Sequence, residues 1–256
     1  MKDIKGAMLN QFIRYSPDWL FAPIYSFYSL LLSPEKMRIR KAKSGWLIKR
    51  DGLELLSPTP KFLNVGIKQF EYKLERHFKI EKGDIAVDVG ACIGDTTVPM
   101  AMKIGSGGRV FAVEPDPHNV KYLRLNLATF PNAEVIEKGV WRESSTVEFH
   151  LHNTPTGHSI MADKVRTGRV QITVDTLDNL FGDVKIDFAK IDVQGAEEQV
   201  LLGGDNFLKT VPKLVVETHD RYSEERRTYP RVLEILRQYD FKIRFEMDNG
   251  LVYAWR

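Results

Sequence analysis

One cysteine, Cys92, stands among 256 residues, so no disulfide can form within the chain and a reducing, cytoplasmic setting is expected. Long apolar runs are also scarce. The aromatic-rich run Trp19 to Leu32 holds fourteen residues and contains Pro23. It is too short to cross a bilayer, and the proline is expected to interrupt it. The run ends in Ser33-Pro34-Glu35, without the small residues of a cleavage site, so a signal peptide is not expected. Internal repeats, low-complexity segments and long linkers are absent. Hydrophobic content of 43% and charged content of 28% suit one globular domain with a short N-terminal addition.

The net charge of +3 hides an asymmetry. Residues 1–50 carry ten Lys/Arg against three Asp/Glu, a net +7, which leaves −4 on the remainder. Seven cations cluster at Lys36, Arg38, Arg40, Lys41, Lys43, Lys49 and Arg50, just after the aromatic run. An apolar aromatic stretch beside a cationic cluster suits the headgroup zone of an inner membrane face. Packing on the catalytic domain, capping of its site, or a homodimer contact are the competing roles. No nucleic-acid-binding module accompanies the cations, so no nucleic-acid partner is expected.

Periodicity gives an α/β layout. Trp46–Lys49 and Leu53–Leu56 read as a hairpin turning at Asp51-Gly52. Ile67, Phe70, Leu74 and Phe78 follow helical spacing, which predicts a helix over 66–80. Strands are expected at 84–89, 109–114, 134–137, 186–191 and 213–217, with helices at 95–104 and 117–129. Two added strands, 146–151 and 169–174, flank a loop from His152 to Thr167 that is long enough to serve as a substrate lid. Val232, Ile235, Leu236 and Tyr239 mark a last helix, and a hairpin at Asn249-Gly250 closes the sheet. The domains expected are 1–65, a basic and aromatic extension with a hairpin, and 66–256, a mostly parallel Rossmann-like sheet ending in an antiparallel hairpin.

The segment VDVGACIGDTT (87–97), followed by VFAVEPD (110–116), carries the chemistry. An apolar strand ends at Asp88 and Gly90, a turn runs through Ala91 and Gly94 to Asp95 and Thr96, and a second strand ends at Glu114-Pro115. Glycines let the backbone approach a ligand, helix amides face the turn, and an acid at the next strand tip accepts ribose hydroxyls. The spacing Gly90-Ala-Cys-Ile-Gly94 is not the G-x-G-x-x-G of dinucleotide sites, and Asp88 opens the turn with negative charge. A cationic ligand, S-adenosylmethionine, fits better than a pyrophosphate. Asp88 as a capping residue and Cys92 as filler are the plainer readings of those positions.

These residues resemble a class I methyltransferase dependent on S-adenosylmethionine. IDFAKIDVQGAEEQVLLGG (186–204) and PKLVVETHD (212–220) narrow the resemblance to the FkbM family, over roughly residues 60–220. The resemblance implies a Rossmann-like methyltransferase fold and methylation of a hydroxyl on a sugar, glycolipid or secondary metabolite. Gln194 departs from the family's usual Glu; a neutral amide hydrogen-bonds but cannot act as a base or a charged metal ligand. Glu197 matches the signature acid, with a solvated helix turn as its default role.

The expected cofactor contacts are Asp88, Gly90, Ala91, Gly94, Asp95, Thr96, Glu114, Pro115 and Asp192. His219 is the preferred catalytic base, because an imidazole titrates near neutral pH, and Asp192 orients it or the acceptor. Glu217, and His158 from the loop, are expected at the substrate. Each has a plainer reading: Asp192 as a helix cap, Glu217 paired with Lys190 or Lys213, His219 as an ordinary loop residue. Asp192 with Glu217 could instead take a divalent metal ion, though none is expected. His150 and His152 alternate on one strand without a third ligand. Asn126 is expected to fix backbone geometry at its helix end. A cofactor-binding protein without catalysis and an NAD-linked oxidoreductase are the rival functions.

Overall fold

The computed structural model describes residues 12–13, 15–32, 36–63, 65–151, 168–219 and 227–256. The chain divides into two compact units, one up to Tyr72 and one from Lys73.

In the first unit, helix α1 (Asp18–Leu32) runs straight through Pro23 rather than stopping at it. A proline there removes the N–H due to the Trp19 carbonyl and crowds that oxygen with its ring, while the first turn is still closed by the Pro17 carbonyl, which accepts from Leu20 and Phe21. A three-stranded antiparallel sheet follows, β1 (Arg38–Ala42), β2 (Gly45–Arg50) and β3 (Leu53–Ser57). The expected β2–β3 hairpin is present, and Asp51 and Gly52 both have positive φ, +51° and +82°, as its two-residue turn requires. Strand β1 was not foreseen. Its alternation buries Met37 and Ile39 while Arg38 and Arg40 face out, a strand pattern that the charge cluster disguised. Helix α1 closes the β1 edge: Ser26 Oγ accepts the Ile39 N–H at 2.9 Å and Ser29 Oγ that of Met37 at 2.8 Å.

Helix α2 spans Ile67–Leu74, shorter than the expected 66–80. Buried Glu75 ends it by taking the Ile80 N–H at 2.9 Å, and Phe78 then packs against Phe188, Tyr253 and Trp255. The apolar spacing survives while the helix does not.

The second unit is an α/β sheet of seven strands: β4 (Ile85–Val89), β5 (Arg109–Val113), β6 (Ala133–Ile136), β10 (Phe188–Ile191), β11 (Lys213–Glu217), β12 (Lys242–Glu246) and β13 (Leu251–Trp255). Their order is β12-β13-β11-β10-β4-β5-β6. Strand β13 alone runs against the other six, so the mostly parallel sheet with a C-terminal antiparallel hairpin is present. Helices α3 (Thr97–Ile104), α4 (Pro117–Leu127), α5 (Leu177–Phe181), α6 (Glu197–Leu202), α7 (Asp205–Thr210) and α8 (Tyr229–Arg237) accompany it. The central strands are buried almost throughout, the pattern of a sheet covered on both faces.

A separate small sheet, ordered β7-β9-β8, is built from β7 (Gly139–Val140), β8 (Ser145–Leu151) and β9 (Gly168–Asp175). It contains the two added strands expected from the sequence. The loop between them, with His152 and His158, lies outside the described residues.

Register positions the site. Val113 pairs with Val89, Val89 with Ile191, and Ile191 with Val216. Four parallel strands therefore end in one row, and Glu114, Gly90, Asp192 and Glu217 leave the sheet side by side.

Candidate active site at the carboxyl edge of the sheet

Gly90 begins the loop after β4 with φ +82°. A Cβ there would lie 1.8 Å from the Asp192 carbonyl oxygen, so the glycine is demanded by the end of β10, a protein neighbour rather than a ligand. Gly90 and Ala91 both donate to the Val113 carbonyl, at 2.9 and 3.0 Å, and Ala91 is buried. Cys92 then takes φ +52° without being glycine, a conformation that surrounding contacts must hold in place. One such contact is its N–H, given to Glu114 Oε2 at 2.8 Å. Burial, followed by the charges of Asp95 and Glu114, pushes the Cys92 thiol well above its ordinary pKa, which leaves it inert filler. Gly94 (φ +94°) faces Leu123, and Asn126 on α4 donates to the Ile93 carbonyl at 2.7 Å. Asn126 thus fixes the loop rather than its own helix end.

Glu114 lies at the tip of β5. Oε1 accepts from the Asp116 N–H at 3.0 Å while Oε2 holds Cys92. Burial raises its pKa to about 7 against the pull of those two bonds. Asp116 caps α4 by accepting the His118 N–H at 2.7 Å, and Pro115 packs near Gly139. Asp95 is likewise raised to about 7, chiefly by burial, with Lys190 opposing and Asp88 and Asp192 adding to the rise. Thr96 stands at the start of α3 without a side-chain capping bond.

Asp88, expected to face the cofactor, has no exposed side-chain surface. Oδ2 accepts from Thr97 Oγ1 at 2.6 Å, and Oδ1 lies 3.1 Å from Lys190 Nζ as an ion pair that lacks hydrogen-bond alignment. Its charge is spent inside the protein. Lys190 also donates to the Gly90 carbonyl at 3.3 Å and lies 3.6 Å from Asp192 Oδ2. Burial works against its charge, and the surrounding carboxylates, Asp88 first, outweigh that and hold the ammonium protonated. The sequence signal for this role was available: a lone cation inside Phe-Ala-Lys-Ile, a strand buried on both faces, must have a partner.

Asp192 sits at the end of β10 with 21% of its side chain exposed. Burial would raise its pKa; Lys190, His219 and the Gln194 amide together bring it below the usual range. His219 follows β11 and is held on both sides. Nδ1 lies 2.9 Å from Glu197 Oε1, and Nε2 lies 2.8 Å from the Gln194 amide and 3.7 Å from Asp192 Oδ1. Glu197 is fully buried, not solvated. Its Oε1 also accepts the Gly195 N–H at 2.9 Å, and its Oε2 has no hydrogen-bond partner among the described residues.

Burial disfavours the His219 cation, but the Glu197 hydrogen bond and the charges of Asp192, Glu197 and Glu217 lift its pKa to about 9. At neutral pH the ring is therefore an imidazolium, not the near-neutral base expected from an unperturbed histidine. The Gln194 amide answers to this charge. With nitrogen toward Nε2 it donates to a neutral ring and to Asp192 at 2.9 Å; for the imidazolium it turns its oxygen to Nε2. Gln194 holds φ +56°, a second non-glycine residue in the left-handed region at this edge.

Glu217 pairs with Lys73, whose Nζ lies 3.1 Å from both carboxylate oxygens, rather than with Lys190 or Lys213. Lys213 donates instead to the Lys79 carbonyl. No sequence signal links positions 144 residues apart. His150 is buried, with Nε2 3.7 Å from Glu148. His158 and His152 lie outside the described residues. Among the described residues no group of three or more His, Cys, Asp or Glu side chains is placed to hold a metal ion.

S-adenosylmethionine fits the residues present. Glu114 is a buried acid and Asp95 a half-buried one, each raised to about 7, and a sulfonium and an ammonium group would favour their ionised forms. Glu114 Oε1 accepts from the Asp116 N–H and, at 3.4 Å, from the Asn119 amide, while Oε2 accepts only the Cys92 N–H among these bonds and offers its second lone pair to a ribose hydroxyl.

The family model of the methyltransferase FkbM domain matches residues 88–243. The crystal structure of a methyltransferase FkbM from Methylobacillus flagellatus KT superposes with a TM-score of 0.51 at 18% identity, covering 74% of this chain and 50% of that one. This chain thus spans half the length of that relative. An S-adenosylmethionine-dependent O-methyltransferase from Thermotoga maritima gives a TM-score of 0.47 at 12% identity, over 86% of this chain and 85% of that one. Among curated proteins, no sequence matches.

Proposed function

Because the chain belongs to the FkbM methyltransferase family, we propose that it methylates a hydroxyl group on a sugar, a glycolipid or a secondary metabolite. The observation that carries this reading is His219, clamped by buried Glu197 and facing Asp192 at the edge where the glycine loop and Glu114 also emerge. When bound, S-adenosylmethionine supplies an activated methyl group on a cationic sulfur. Glu114 would hold its ribose hydroxyls, and Asp95 with Asp192 would face its positive charge. Ala91 and Thr96 are loop neighbours in that contact.

Alignment and exclusion of water are the protein's main tasks in such a transfer. A hydroxyl acceptor also needs a group to take its proton. Asp192, kept ionised, orients the acceptor O–H. His219, in its neutral form and once the Gln194 amide has swung off Nε2, accepts the proton at that nitrogen, and Glu197 steadies the resulting imidazolium through Nδ1. Glu217, steered by Lys73, and His158 remain proposed substrate contacts.

The test is transfer of radiolabelled methyl to a panel of hydroxylated acceptors, with His219→Gln and Glu197→Gln beside the wild type. Alkali-stable ether product, lowered about 10²-fold or more by His219→Gln with cofactor affinity retained, is expected. Transfer to amines alone, or cofactor binding with no transfer to any acceptor, would overturn the assignment.

A further inference from the structure

Helix α1 carries no charge after Asp18. Its inward face buries Phe21, Ala22 and Ser29, while its outward face exposes Trp19 at 72%, Phe27 at 67% and Leu31 at 65%. These three, with Pro23, recur every four residues and form one stripe along the helix. An exposed stripe of large apolar groups marks a contact surface rather than solvent packing. At fifteen residues the helix is too short to cross a bilayer, and no helix among the described residues is long and apolar enough to do so.

Beside this helix lies a cavity of ≈ 290 Å³ lined by Leu30 of α1 and by Lys36, Arg38, Lys49, Arg50 and Asp51. Four cations and one acid line it, and Arg50 Nη1 also donates to the Leu63 carbonyl at 3.1 Å. Lys49 also pairs with Glu54 at 2.7 Å, and the Asp51 carboxylate is occupied by the Lys68 N–H at 2.8 Å. Lys36 holds φ +40° at its rim. Arg40, Lys41 and Lys43 are exposed on the same unit.

We propose that the α1 stripe and this cavity together form a docking site for an anionic lipid bilayer, with the apolar residues in the upper acyl region and a headgroup phosphate in the cavity. Charge decides between occupants. A second copy of the chain would set one cationic surface against another, whereas anionic headgroups complement it. Aliphatic Ile24 and Leu31 favour lipid over nucleic acid, whose bases stack on aromatic rings and arginine planes instead. Trp and Tyr at the level of the headgroups are typical of membrane-facing surfaces.

Sedimentation of the full chain with vesicles tests this. Phosphatidylcholine vesicles with about one-third phosphatidylserine should bind about tenfold or more tightly than phosphatidylcholine alone, and less tightly as salt rises. The exposed-site double variant Phe27→Ser/Leu31→Ser should lose about tenfold or more of that binding. Lys36→Glu/Arg38→Glu should abolish the preference for the anionic lipid. Circular dichroism shows whether each variant remains folded, and a single Phe27→Ser replaces any double variant that does not. Soluble glycerophosphoserine at millimolar concentration should fail to displace the protein; displacement would mean a free-phosphate site and overturn the docking of a bilayer. Equal binding to both vesicles, a dimer that Phe27→Ser/Leu31→Ser dissociates, or RNA binding that competes with the vesicles would each overturn it as well.

Discussion

Lys190 Nζ lies 3.1 Å from Asp88 Oδ1, with 7% of the lysine side chain and none of the aspartate exposed. The pair joins β10 to β4 beneath the glycine loop, since Lys190 and Asp88 are also register partners. Removing one member leaves a buried charge uncompensated. Lys190→Met should therefore lower stability by about 3–5 kcal/mol in urea unfolding, and Asp88→Asn should be similarly severe. A loss below about 1 kcal/mol would show that the charges are not tightly coupled.

Gly90 and Gly94 should respond differently to alanine. At Gly90 the added Cβ meets the backbone carbonyl of Asp192 at 1.8 Å, whereas at Gly94 it meets a leucine methyl at 3.0 Å. Gly90→Ala should cost about 3 kcal/mol or more, with loss of cofactor binding, and Gly94→Ala about 1–2 kcal/mol from its positive φ. Thermal unfolding with a calorimetric titration separates the two.

Cofactor affinity should rise with pH through about 7, because Asp95 and Glu114 are held near that value and a cation binds best to their ionised forms. Titration calorimetry in buffers of differing ionisation enthalpy should detect proton release at pH 6 and little at pH 8.5. Glu114→Ala should weaken binding by about 1–3 kcal/mol, the scale of a charge-assisted hydrogen bond. Affinity flat from pH 6 to 8.5 would remove these acids from the site.

His219 gives an opposite dependence for stability. Its pKa is raised from 6.5 to about 9 in the folded state, so its contribution is fully present below about 6.5 and disappears as pH climbs through 9. Denaturation midpoints at pH 6, 7.5 and 9 should fall across the series, and His219→Gln should flatten the upper part. The methyl-transfer rate should run the other way, rising toward pH 9 as the ring loses its proton.

Much of the fold was legible because apolar spacing and turn chemistry coincide. The strands ending at Val89, Val113, Ile191 and Glu217 lie within a residue or two of their expected bounds. Strand β1 was missed because Arg38 and Arg40 read as a charge cluster while Met37 and Ile39 carried the alternation between them. Helix α2 was drawn too long because Phe78 keeps the helical spacing although its chain has already turned at Glu75. At the site, the residue types were visible but their partners were not. The Glu197–His219 and Lys73–Glu217 pairs are long-range contacts, and local sequence carries no record of them. The perturbed acidity of His219 follows from those contacts, so it could not be read before them.

Strand β13 fills the gap between β11 and β12 although it is the last of the three to leave the ribosome. Until residues 251–255 emerge, β11 has an open side, and Thr218, which gives its N–H to the Gly250 carbonyl at 2.8 Å, lacks that bond. The anchor beside His219 therefore forms only once synthesis has passed the turn at Gly250. A nascent chain stalled before Gly250 would display an apolar strand edge of the kind that chaperones shield.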